Sequence, residues 1–146
     1  LTIADRLNGS KAADILIGGA GSDHILGGKG DDRLRGGKGA DVLIGGSGSD
    51  HLHGGTGADR LNGGNGADIL IGGQGADRFK ISKGKDTIKD FSIQENDQLL
   101  INSSIKLTFK QISSGVLLST PKNRIRTTLV GVDLDELLDH QPDLFD

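Results

Sequence analysis

Between Gly18 and Lys80 one nine-residue unit is written seven times without interruption, and every copy reads Gly-Gly-x-Gly-x-Asp-x-apolar-x. The first copy is Gly18-Gly19-Ala20-Gly21-Ser22-Asp23-His24-Ile25-Leu26 and the last is Gly72-Gly73-Gln74-Gly75-Ala76-Asp77-Arg78-Phe79-Lys80. Glycine at this density excludes a helix. The strict spacing separates the chain from a flexible glycine-rich linker with a solvated acidic face, which has no need of it. Triplets such as Arg33-Leu34-Arg35 and His51-Leu52-His53 set one apolar residue between two others, the period of a short strand with a single side chain inward. The Gly-Gly-x-Gly run ahead of each triplet supplies positive φ angles and reverses the chain. Turn and strand, repeated, wind into a solenoid with two strands and 18 residues in each coil.

The frame outruns the seven copies. Asp5-Arg6-Leu7-Asn8 matches the end of a unit, Gly9 to Ile17 keeps Asp14 and Leu16 but has Ser10 and Ala12 at glycine positions, and Ile81 to Lys89 keeps Gly84, Asp86 and Ile88. An 18-residue coil then sorts the aspartates into two columns: Asp5, Asp23, Asp41, Asp59 and Asp77 on one side, Asp14, Asp32, Asp50, Asp68 and Asp86 on the other. Leu7, Ile25, Leu43, Leu61 and Phe79 face Leu16, Leu34, Leu52, Leu70 and Ile88 inside.

One large apolar side chain per unit is too little to offset the entropy of ordering nine residues. Coils stacked about 4.8 Å apart also bring the carboxylates of a column together, where they repel. A divalent cation between neighbours turns that repulsion into attraction. Carboxylates and backbone carbonyls form a hard oxygen shell of the kind Ca²⁺ accepts in flexible geometry, whereas Mg²⁺ demands a tight octahedron and keeps its waters. A phosphate-cradling loop, the other use of Gly-x-Gly, wants a helix after the glycines and a Lys where these units carry Asp.

The units resemble the nonapeptide repeats of the repeats-in-toxin (RTX) family. The likeness continues through Gly84-Lys85-Asp86-Thr87-Ile88-Lys89-Asp90-Phe91 and Asp97-Gln98-Leu99, which are similar to the segment that closes such rolls in secreted proteins. It implies an all-β fold, a right-handed parallel β-roll over residues 1–90 with a C-terminal β-rich cap over 91–146, and about five to eight Ca²⁺ ions. It further implies that each ion lies between turns two units apart. One turn gives its aspartate and its second and fourth carbonyls, which are Gly19 and Gly21, Gly28 and Gly30, Gly37 and Gly39, Gly46 and Gly48, or Gly55 and Gly57. The next coil gives its aspartate and its first and third carbonyls. Those are Gly36 and Lys38, Gly45 and Ser47, Gly54 and Thr56, Gly63 and Asn65, or Gly72 and Gln74, preceded by Gly18 and Ala20 and by Gly27 and Lys29 at the start. Asp5, Ser10 and Ala12 at one end, and Gly64, Gly66 and Asp86 at the other, are the weaker positions, with Lys83 and Lys85 flanking Asp86.

From Thr87 onward ordinary strands are expected at Thr87 to Phe91, Gln98 to Ile101, Ile105 to Phe109, Val116 to Ser119 after a Ser113-Ser114-Gly115 turn, and Arg124 to Val130. Phe91, Leu99, Ile101, Leu107, Phe109, Leu117 and Leu129 supply the bulk that the roll lacks, and such a segment caps an open solenoid end. Leu134, Leu137 and Leu138 predict one or two helical turns in an acidic tail, about 131–146, that ends Asp143-Leu144-Phe145-Asp146. That ending resembles the C-terminal export signal of type I secretion substrates, so the likeness implies type I secretion machinery as a partner.

The net charge of −3 gives no bulk attraction to nucleic acid, and the absence of Cys excludes a disulfide framework and thiolate metal sites. No apolar run reaches the length of a membrane span, and Leu1 to Ile3 is not a signal peptide. A first residue of Leu is expected of a fragment or processed piece, with a protease, lipase or epimerase domain as a possible upstream neighbour. No zinc-protease His-Glu-x-x-His and no Gly-x-Ser-x-Gly elbow is present, so the chain is read as a noncatalytic, calcium-dependent folding and secretion module of an extracellular bacterial protein. The alternative is a module that binds an anionic polysaccharide such as alginate. It would use the outward Arg33, Arg35 and Arg60 among Ile15, Ile17, Val42, Ile44, Ile69 and Ile71, or the basic set Lys83, Lys85, Lys89, Lys106, Lys110, Lys122, Arg124 and Arg126. His24, His51 and His53 are expected to point outward as wall residues, not to form a transition-metal or catalytic site.

Overall fold

The computed structural model describes residues 3–101, 108–120 and 124–140. Its first ten strands follow the repeat. They are β1 (Arg6–Asn8), β2 (Ile15–Ala20), β3 (His24–Lys29), β4 (Arg33–Lys38), β5 (Val42–Ser47), β6 (His51–Thr56), β7 (Arg60–Asn65), β8 (Ile69–Gln74), β9 (Arg78–Lys80) and β10 (Gly84–Ile88). Alternate strands pair in parallel, odd with odd and even with even, so that Leu43 lies beside Ile25 and Leu61, and Leu52 beside Leu34 and Leu70. Each step along a sheet is 18 residues, the coil length read from the repeat.

From β2 to β8 the strands are longer than the triplets. Each spans six residues, because the ladder runs on through the Gly-Gly-x of the following turn: Gly28 pairs with Gly46 and Lys29 with Ser47. Each of these strands therefore turns two positions inward, the aliphatic residue and the first glycine, as Ile25 and Gly27 do in β3.

Both sheets continue past the repeats. Phe79 is followed in its row by Leu99 of β11 (Gln98–Leu100), which completes a six-stranded sheet. Ile88 is followed by Leu129 of β14 (Ile125–Val130), parallel to β10. The antiparallel strands β13 (Gly115–Ser119) and β12 (Thr108–Ile112) then extend that sheet to eight strands. The expected Thr87–Phe91 strand is shifted to Gly84–Ile88, because pairing with β8 and β14 fixes its register, and Phe91 instead packs its ring 6.1 Å from that of Phe79. The strand expected at Ile105 to Phe109 appears as β12, beginning at Thr108, and residues 105–107 lie outside the described residues. The turn at Ser113-Ser114 is present, with Gly115 at φ +139°. Val116 and Leu118 are the buried side chains of β13, while Leu117 is half-buried, because Val116 and Leu118 stand opposite the buried Leu129 and Thr127. Leu107 and the side chain of Phe109 lie outside the description.

The tail folds as the helix α1 (Leu134–His140). Asp133 caps it, its Oδ1 accepting the Asp135 and Glu136 N–H groups at 2.9 and 3.2 Å. Leu137 is buried and Leu138 exposed, and residues 141–146 lie outside the description. The core is one apolar row from each sheet, closed at the C-terminal end by Phe91, Leu99, Leu129 and Leu137, while Leu7 and Leu16 at the other end are only partly covered.

Candidate metal centre

The glycines of a turn do two different jobs. The second and fourth hold positive φ in every intact unit, as Gly37 (+125°) and Gly39 (+123°) do, a conformation that L side chains rarely adopt. The first glycine does not: Gly27, Gly36, Gly45 and Gly54 all lie outside the positive-φ region. What they provide is room. A Cβ on Gly27 would collide with Asp32 Oδ2 and stand 2.6 Å from the Gly45 carbonyl oxygen of the next coil. The same pair of oxygens crowds Gly36 (Asp41, Gly54), Gly45 (Asp50, Gly63) and Gly54 (Asp59, Gly72).

The aspartates are therefore not a solvated acidic face. From Asp23 to Asp86 every repeat aspartate is at most 2 % exposed. Each has one oxygen committed. The Asp23 N–H donates to Asp41 Oδ1 at 2.7 Å, Asp32 to Asp50 at 2.8 Å and Asp41 to Asp59 at 2.8 Å, so a carboxylate ladder runs up each column. From Asp23 to Asp77 the other oxygen has nothing. Oδ2 of Asp23, Asp32, Asp41, Asp50, Asp59, Asp68 and Asp77 is buried without a hydrogen-bond partner.

A buried anionic oxygen with no partner is a costly arrangement. Burial pushes the Asp50 and Asp59 carboxyls up to about 6, against the lowering effect of the ladder bond, and neighbours in the same column push further. Asp77 and Asp86 are pushed up to about 7 for the same first reason, and Asp41, Asp68 and Asp97 are raised. The donor set fits a hard divalent cation: orphaned carboxylate oxygens converging with backbone carbonyls. Among the described residues no three His, Cys, Asp or Glu side chains gather at one point, so a full shell has to draw on carbonyls.

The segments 3–34, 17–52, 26–59, 44–79 and 53–88 match the family model of the RTX calcium-binding nonapeptide repeat. The chain belongs to that family. Comparison with curated proteins returns no match. The RTX repeats make this a calcium-binding parallel β-roll.

Within the RTX turns, the third carbonyls from Lys38 to Gln74 already accept one hydrogen bond each. The Gly21 N–H donates to Lys38 O at 2.8 Å, Gly30 to Ser47 at 2.9 Å and Gly39 to Thr56 at 2.8 Å, which leaves each carbonyl one further lone pair. The second and fourth carbonyls of one coil, such as Gly19 and Gly21, lie against the corresponding glycines of the next, Gly37 and Gly39.

The ends of the columns differ from the middle. Asp5 is exposed, and its N–H joins the ladder at Asp23 Oδ1. Asp14 Oδ2 accepts from the Ser10 N–H (2.6 Å) and Oγ (2.9 Å), and Asp86 Oδ2 accepts from Ser82 Oγ at 3.1 Å. The Asp5 column has a further member that sequence spacing missed. Asp97 takes the Asp77 N–H on Oδ1 at 2.8 Å and the Ser92 N–H on Oδ2 at 2.8 Å, after a step of 20 residues. Asp97-Gln98-Leu99 repeats the pattern of Asp77-Arg78-Phe79, a signal visible once the frame is allowed to slip. Asp90 was also missed as a structural group: its two oxygens accept the Gly72 and Gly73 N–H groups at 2.9 and 2.8 Å.

The histidines lie on the walls, His51 exposed and His24 and His53 half-buried. Arg33 and Arg35 of β4 stand beside His51 and His53 of β6, with Ile15 and Ile17 on one side and Ile69 and Ile71 on the other. On the six-stranded sheet Arg60 pairs with Arg78, and Asn62 with Lys80. No outward position of β1 to β9 carries an acid. No helix among the described residues is long and apolar enough to cross a membrane.

Proposed function

We propose that each orphaned carboxylate oxygen takes one calcium ion, seven in all, and that the chain is a noncatalytic module whose folding is driven by those ions. The ligands assigned to each ion are the aspartates and the carbonyls of turns one coil apart, for example Asp23, Gly19 and Gly21 with Asp41, Gly36 and Lys38. Calcium supplies the positive charge that lets these carboxylates be buried ionised. The chain supplies the rest. First glycines leave the space, second and fourth glycines aim carbonyls, and the ladder bonds hold each Oδ1 so that Oδ2 faces the gap. The observation that carries the reading is the set of seven buried, partnerless Oδ2 atoms. Where calcium is scarce the columns repel and the chain stays open; where it is plentiful, binding becomes folding by linkage.

This switch suits a roll (1–90) and cap (91–146) at the C-terminal side of a larger secreted bacterial protein, exported unfolded by a type I system that reads the tail and folded outside the cell. Circular dichroism in EGTA and then in calcium tests it. The expected result is a gain of β signal on calcium addition, and a chain equally β-rich in both would sink the reading.

A second reading is supported by the acid-free walls of β1 to β9: in the calcium-loaded state an anionic polysaccharide is held along Arg33, Arg35, His51 and His53. Titration with alginate oligomers at low salt checks it, and silence in calorimetry removes it.

A further inference from the structure

Repeat turns divide cleanly by their second residue. Where it is glycine at positive φ, from Gly19 to Gly73, the turn's aspartate has an orphaned Oδ2. Where it is serine, the oxygen is satisfied, at Asp14 by Ser10 and at Asp86 by Ser82, each four residues upstream of its aspartate. Neither serine has positive φ. At Ser10 the backbone N–H as well as the hydroxyl reaches the carboxylate.

We infer that Ser10 and Ser82 terminate the calcium ladder of the Asp14 column, their donors occupying the carboxylate oxygen that an ion takes in the intact turns. The rest of the Asp14 cradle is already built. Gly9 is packed by Asp14 Oδ2 (2.8 Å from a notional Cβ) and by the Gly27 carbonyl, the same pair of oxygens that surrounds Gly27, Gly36, Gly45 and Gly54. What distinguishes this turn is the hydroxyl and N–H of Ser10, together with Ala12 in place of the fourth glycine. An oxygen accepting two short hydrogen bonds has little left to offer a cation. At Asp14 the following coil is in place, with the Gly27 carbonyl against Gly9, so the serine donors alone satisfy a carboxylate oxygen that the neighbouring coil would otherwise share with an ion.

The inference rests on the reading that orphaned Oδ2 atoms hold calcium, and a graded set of variants separates the two. Calcium bound per chain is measured by equilibrium dialysis and native mass spectrometry for wild type, Ala12→Gly, and Ser10→Gly combined with Ala12→Gly. The expected result is an equal count for wild type and A12G, and one ion more for S10G/A12G. An extra ion in A12G alone shows that serine is not the stop, and no extra ion in S10G/A12G shows that removing it opens nothing; either overturns the inference while leaving the calcium reading intact. A wild type that takes up no calcium overturns both.

Discussion

Replacing Gly36 by alanine isolates the space-making role of the first glycine, because its φ is already one that alanine accepts. The new Cβ would strike Asp41 Oδ2 and lie 2.7 Å from the Gly54 carbonyl oxygen. Forcing a methyl into a packed site costs about 1–3 kcal/mol. Displacing the two oxygens also removes one ion, worth about 2.7 kcal/mol when calcium stands a hundredfold above its dissociation constant. The expected loss in calcium is therefore about 4–6 kcal/mol. Gly19→Ala is the matched comparison: φ there is +110° and a Cβ would meet nothing within 4 Å, so backbone strain of about 1–3 kcal/mol is expected, with calcium held more weakly through the Gly19 carbonyl but no carboxylate oxygen blocked. Urea unfolding at saturating calcium gives the energies and equilibrium dialysis the ion count. If G36A keeps every ion and loses no more stability than G19A, the carboxylate-over-glycine cradle is not where calcium is held.

Three further outcomes are expected. Asp50→Asn should act with opposite signs: at neutral pH without calcium it removes a buried charge whose carboxyl is pushed up to about 6 and so favours the folded state by roughly 1–2 kcal/mol, but in calcium it loses an ion and destabilises; β signal by circular dichroism in EGTA and urea midpoints in calcium check the reversal. Without calcium the folded state holds protons that the unfolded chain has released, since Asp50 and Asp59 lie near 6 and Asp77 and Asp86 near 7 against an unfolded value of 3.8. Stability is then fullest below about pH 4, falls through pH 6 to 7 and levels off above, and circular dichroism in EGTA should show β signal growing as pH is lowered from 8 to 5. Asp97→Ala leaves the N–H groups of Asp77 and Ser92 without their acceptor and should cost about 2–4 kcal/mol even in calcium, read as a lower thermal midpoint without loss of the mid-roll ions.

The coil length, the two inward rows and the partition of the aspartates were legible because they follow from a nine-residue period and the alternation of a strand. Two features were less so. The strands run to six residues because glycine pairs through its backbone as well as any residue, and a pattern of side chains does not display that. The first glycine resembles the second and fourth in the text, but it is there for the carboxylate five residues later; only the path of the chain brings Gly36 and Asp41 together. At the ends, Ser10 reads as a lapse from the repeat but is a hydrogen-bond donor placed on Asp14. Asp97 escaped the frame because the last coil contains two extra residues, and its register is set by pairing with β9.

The roll has two periods, and they constrain different things. Ladder bonds, cradles and the apolar rows are equivalent from one nine-residue unit to the next, so the interior is indifferent to how many units the chain has. The walls repeat only every 18 residues, since consecutive units face opposite ways. Gaining or losing a single unit would leave interior and cap joined as before, yet would transfer every outward residue on its N-terminal side to the opposite wall. Ile15 and Ile17 would part from Arg33 and Arg35, or the arginines from His51 and His53, according to where the unit was lost. A lineage built this way can reshuffle its surface in single steps while its metal-holding interior stays unchanged.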